Sequence, residues 1–233
     1  MAQRTFSIVA NCTLLFAIFG PLVVLIFHAD QNFTFTSADI AALKFTLLQA
    51  ALSSLLSVLL AWPLALALSR RQFRGRRLLI IALSVPFILP VIVAILGLLS
   101  VFGNSGLLNS LLSFFGFPVF SIYGLSGVLL AHIFFNIPLA TRAFLLALER
   151  RPKELDRLAD GLNLNFLLRF WILDWPIVRL IAPQIFSLIF VLCLTSFAVV
   201  LTLGGGPKAT TLELAIYQSF RFELDFGRAS FLA

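Results

Sequence analysis

Apolar residues run in long blocks along this chain, and polar residues collect between them. Five blocks are long enough to cross a bilayer: 6–28, 45–68, 78–101, 124–148 and 180–203. A hydrocarbon core about 30 Å thick needs roughly 20 residues of helix, each advancing about 1.5 Å. None of the five blocks holds an Asp or Glu. The pattern predicts an all-α fold: one domain over 1–233, a polytopic transmembrane helix bundle of five full spans. Pro86 and Pro90 each remove a backbone donor, so the third span is expected to bend. The first block follows Arg4 and could be a secretory signal. It is long for one, and Phe27-His28-Ala29 lacks paired small residues for cleavage, so it is read as a span. The mixed segment after 203 turns apolar again at about residue 228. That is read as the first turn of a truncated sixth span, so the chain is expected to be a piece of a longer one.

Composition sharpens the picture. Hydrophobic residues make up 61% of the 233, charged residues 12%, and the mean hydropathy is +1.05. A soluble domain averages about 45–50% apolar and about 25% charged. A soluble enzyme, a disordered protein and a disulfide scaffold are all disfavoured, because a globule of this size cannot hide so much apolar surface. Cys12 and Cys193 lie inside apolar blocks with no metal-ligand spacing and read as small buried hydrophobes.

The net charge of +7 does not point to nucleic acid, because the basic residues sit in short loops between apolar blocks. Of 17 Lys and Arg, thirteen fall on one side of the predicted membrane. They are Arg4, the cluster in 69–77, and the group from Arg142 through 149–179. The positive-inside bias therefore places the N-terminus, 69–77 and 149–179 in the cytoplasm, and 29–44, 102–123 and 204–228 outside. Within 102–123, Leu107, Leu108, Leu111, Leu112 and Phe115 repeat at helical spacing, with Asn109, Ser110 and Ser113 off the stripe. This predicts a short helix, either on the membrane surface or capping the bundle.

No nucleophile elbow, paired carboxylate, Cys/His cluster or P-loop occurs, so no catalytic, cofactor-binding or metal residue is expected. Gly204-Gly205-Gly206-Pro207 is glycine-rich but opens no Lys-Ser/Thr helix. Polar groups inside the spans are the candidate pathway residues: His132 with Asn136, Gln49 with Ser53 and Ser57, and Gln184 with Ser187. Such groups face a wet cavity or bond neighbouring helices, and spacing alone leaves both readings open. Arg142 lies near a span end and is expected to snorkel. The lack of a carboxylate relay disfavours a self-powered secondary transporter and points to energy from a partner.

The segment Glu149–Arg179 predicts two helices. Pro152 can open the first, and Leu155, Leu158, Ala159 and Leu162 then share one face. Asn163 and Asn165 mark a turn, and Phe166, Leu167, Phe170 and Trp171 form a second apolar face before Asp174-Trp175-Pro176. Such a hairpin either lies on lipid or docks a soluble partner, helix in groove.

This segment resembles the cytoplasmic EAA loop of binding-protein-dependent ABC importer permeases. Glu154 takes the Glu place, Leu158-Ala159-Asp160 the middle and Pro176 the Pro place. The Gly place falls on Asn163, with Gly161 two residues early. Ser121–Gly124, Leu130–Pro138 and Leu203–Gln218 are similar to the thiamine (thiamine pyrophosphate) group of these permeases, itself similar to the ferric-iron group. The resemblance implies a type I importer fold, here the N-terminal half of two fused halves, in a bacterial inner membrane. It implies import of thiamine or thiamine pyrophosphate, with ferric iron or another small solute as the alternative. It implies as partners a cytoplasmic ABC ATPase dimer, a periplasmic substrate-binding protein and a second permease half. Hydrolysis would belong to the ATPase, which would grip the loop around Glu154–Asn165.

Overall fold

Helix accounts for every regular element among the described residues, and no strand occurs there. The structure, a computed structural model, describes residues 2–28, 34, 36–204, 206 and 209–233, with 2–10, 22, 28 and 153 described by backbone alone. Most of the segment joining the first two spans, and Gly205, Pro207 and Lys208 of the glycine-rich run, lie outside the described residues. Two compact units divide the chain, Phe45–Ala209 and a smaller one of Met1–Lys44 with Thr210–Ala233.

In the smaller unit, helix α1 (Ala2–His28) packs on a C-terminal helix, Phe226–Leu232, which starts where the sixth span was expected to begin. Helix α2 (Ser37–Arg70) opens on a capping box. Asp39 accepts from the Thr36 amide at 2.9 Å and hydroxyl at 2.6 Å, and its own amide donates back to Thr36 Oγ1 at 3.3 Å. Arg228 pairs with the other oxygen of this buried carboxylate at 3.0 Å. Cys12 is exposed, which corrects its reading as buried: in this helix, lipid-facing and core-facing positions are equally apolar, so composition cannot tell them apart.

The larger unit is built on α2, α7 (Leu125–Glu149) and α10 (Trp175–Leu194). Their shared core sets alanines (Ala50, Ala61, Ala65 and Ala140, all fully buried) against Phe144 and Ile189. Small residues let helix backbones approach closely, which substitutes for the hydrophobic drive that lipid does not supply. Three helices, Ser37–Arg70, Leu125–Glu149 and Phe166–Leu194, and the stretch Val91–Phe114 are long and apolar enough to cross a membrane. In α1 the apolar part, Asn11–Phe27, is shorter.

Two spans differ from expectation. The third is not bent but broken, into α3 (Arg76–Ala82), α4 (Val85–Ile88) and α5 (Val91–Phe102). Leu89, ahead of Pro90, is pushed to ψ 134° because the proline ring excludes the helical conformation. The fifth does not run over 180–203. It begins further back, ends at Leu194, and resumes as α11 (Phe197–Leu203). Thr195 and Ser196 leave helical geometry, and their hydroxyls bond the carbonyls of Val191, Leu192 and Cys193.

Between α5 and α7, helix α6 (Leu107–Phe114) turns much of its apolar stripe outward: Leu107 is 65% exposed and Phe115, just past its end, 69%, while Leu108 and Leu112 are half-buried. Asn109 is buried instead. Its amide nitrogen donates to Gly103 O and Phe120 O, both at 2.9 Å, and its oxygen accepts from Phe120 N at 3.2 Å. Of the two readings of α6, this arrangement agrees with a helix presenting its greasy side to lipid. Asn109→Ala is expected to strand these two carbonyls and one amide, at a cost of about 2–3 kcal/mol. A thermal unfolding scan in detergent should show a clear drop in midpoint.

Candidate functional site: a helical hairpin mounted on ion pairs

Pro152 starts helix α8 (Lys153–Gly161), and Glu154 and Asp156 occupy its first turn, where the helix dipole favours anions. The end is a Schellman turn. Asn163 sits at φ 50°, its amide donates to Asp160 O at 3.1 Å, and the Leu164 amide reaches Ala159 O at 3.1 Å. Asparagine tolerates this left-handed geometry, so Asn163 serves where the EAA pattern has glycine, while Gly161 is ordinary helix. Asn165 then caps α9 (Phe166–Arg169) by accepting from the Leu168 amide at 2.8 Å.

The second half of the hairpin is not separate. From Phe166 one helix runs on through a widened π turn, Phe170–Asp174, into α10. Thus 149–179 is not all loop, and Pro176 lies within the continuous helix just past the π turn rather than as a stop before the span. Its missing amide falls where the ladder is already widened.

The apolar face of α8 points away from the bundle. Leu155, Leu158 and Leu162 are 40%, 62% and 70% exposed, while Ala159 is 3% exposed. Glu154 and Asp160 are exposed too. Phe166 and Leu167 of α9 extend the open apolar surface.

What holds α8 is charge. Asp156 Oδ1 accepts from Arg151 Nη2 at 2.5 Å and Arg169 Nη2 at 2.8 Å, and Asp160 pairs with Arg169 at 2.6 Å. Arg151 uses its other nitrogen, Nη1, on Asp174 at 2.8 Å, and Asp174 also pairs with Arg70 at the end of α2. Asp174 is 1% exposed, so losing one partner would leave a buried charge uncompensated, typically a cost of about 3–5 kcal/mol. Beside this network a cavity of about 670 Å³ is lined by Ser69, Arg70, Arg151, Asp156 and Arg169. The sequence reading missed the network. Its one signal was Asp174, an acid inside an otherwise apolar run.

A second polar cluster lies deeper in the same unit. His132 bonds Ser53 Oγ through Nδ1 at 2.9 Å and Ser196 Oγ through Nε2 at 2.7 Å. Gln49 Nε2 donates to Cys193 O at 2.9 Å, and Asn136 Nδ2 to Cys193 Sγ at 3.3 Å. Ser57 is buried with no hydrogen-bond partner. So the structure gathers Gln49, Ser53, His132 and Asn136, adds Cys193 and Ser196, and leaves Gln184 and Ser187 on the exposed side of α10.

The chain is 48% identical over 205 residues to the thiamine transport system permease protein ThiP of Brucella melitensis, covering 87% of this chain. It is 49% identical over 191 residues to ThiP of Escherichia coli strain K12, covering 82%. It spans 37% and 36% of those relatives' lengths. The fold matches a bacterial alginate ABC transporter, solved with a pentasaccharide-bound periplasmic protein, at TM-score 0.80, 18% identity, 99% of this chain and 87% of that one. Over most of its length the chain is thus similar in sequence to thiamine transport permeases, and it shares the fold of the alginate transporter's chain. No protein-family model matches it. With four helical stretches long and apolar enough to cross a membrane, and this likeness to permeases, it is a multi-pass membrane protein.

His132, Asn136, Gln49 and Ser53 are closed in and bond α2, α7 and the α10–α11 junction to one another. Interhelical hydrogen bonds in membranes average about 0.6 kcal/mol, and His132 makes two. His132→Phe is expected to lower the unfolding midpoint, whereas Gln184→Ala, on an open face, should leave it unmoved within error. Parallel thermal scans of the purified variants check both.

Proposed function

We propose that the chain forms the membrane pathway part of a binding-protein-dependent importer for thiamine or thiamine pyrophosphate. A separate ATPase docks on α8 and supplies the energy, a periplasmic binding protein supplies the solute, and a second permease half completes the passage. The observation that carries this reading is the unpartnered leucine face of α8, held outward on a charged mount. An amphipathic helix presented this way fits a groove in a soluble partner. Identity near 48% to thiamine permeases supports the substrate.

Positive-inside counting orients the protein in the inner membrane with α8 and the N-terminus in the cytoplasm. The test is radiolabelled thiamine uptake by the full-length protein with ATPase and binding protein supplied, and with ferric iron as the competing substrate. Leu158→Asp with Leu162→Asp is expected to abolish ATPase retention in a pull-down and to reduce uptake at least tenfold. Each buried charge would cost well over the 1.4 kcal/mol that a tenfold change represents. Uptake that survives both changes, or requires no ATPase, would sink the proposal.

A further inference from the structure

We propose that Arg151 and Asp174 are positioning residues that carry displacement of α8 to the ends of three membrane helices. This rests on the reading of α8 as the ATPase docking surface. Helix α8 buries little: of its apolar side chains, Ala159 turns inward and the leucines turn out. A push on its outer face therefore leaves through the chain links at either end and through its carboxylates. Asp156 passes it to Arg151, two residues past the end of α7, and, together with Asp160, to Arg169 of α9. The same guanidinium grips Asp174 in the π turn that opens α10, and Asp174 in turn holds Arg70 at the end of α2.

One side chain thus splits its fork between the docking helix and the point where three spans meet. Ion pairs suit this role better than packed methyl groups. Dispersion contact fades within an ångström of separation, whereas charge attraction falls only as the inverse of distance. The adjoining cavity of about 670 Å³ leaves the arginines room to move and re-pair. The ladder loosens at the same place: the Trp175 amide bonds Phe170 O, one residue beyond the usual α-helical partner.

The test uses the full-length permease with ATPase and binding protein in proteoliposomes. Uptake of radiolabelled thiamine, ATP hydrolysis and ATPase retention are read on the same preparations. Arg151→Gln is expected to raise ATP consumed per thiamine delivered by at least about fivefold, the lower end of typical coupling, with ATPase retention within about twofold of wild type. Arg151→Lys keeps the charge but loses the two-pronged fork, and is expected to fall between. A wild-type ratio in both Arg151 variants overturns the proposal. So does a loss of uptake that merely tracks loss of retention. If Arg151→Gln yields no folded complex, the ratio for Arg151→Lys decides alone. A wild-type permease that retains no ATPase would overturn the docking reading, and this proposal with it.

Discussion

Asp174 is a carboxylate closed off from water on a helix that otherwise reads as apolar, and two guanidiniums from other parts of the chain hold it. An isolated charge there would be untenable, so the geometry of everything nearby follows from satisfying it. The end of α2 must come to Arg70's reach, and the exit from α7 must present Arg151. Helix α10 widens by one residue per turn to carry the acid inward. Helix α8 takes its place from the second nitrogen of Arg151 and from the fork of Arg169.

The same rule works differently a few turns away. His132, Gln49 and Asn136 are neutral and find neutral partners: two hydroxyls, a backbone carbonyl and a thiol. These bonds tie α2 and α7 to the point where α10 gives way to α11. Ser57 and one oxygen of Gln49 remain without partners among the described residues, so the cluster is not fully satisfied. The two polar sets therefore divide the labour, with charge at the membrane face and neutral bonds inside.

Much of this was legible in the sequence, because lipid makes hydrophobic blocks unambiguous. The helical bundle, the amphipathic helix pair after α7 and the turn at Asn163 all follow from block length, periodicity and the tolerance of asparagine for positive φ. The interruptions were harder. Pro90 announced a bend, but spacing did not say that Leu89 would go extended while Val85, also ahead of a proline, stays helical. The break at Thr195 had no proline or glycine to mark it, only two hydroxyls able to stand in for amide donors. Which way an apolar stripe points was not legible either. The leucines of α6 and α8 satisfy the same periodicity whether they face a core, lipid or a partner, and only the burial of Asn109 and the ion pairs of Asp156 decide it.

The order of the charges along the chain has a consequence for biogenesis. Synthesis runs from the N-terminus, so Arg70 and Arg151 emerge before Asp174. Each cation that holds the acid is therefore made before it, so the partners of Asp174 already exist in the nascent chain when the carboxylate is added.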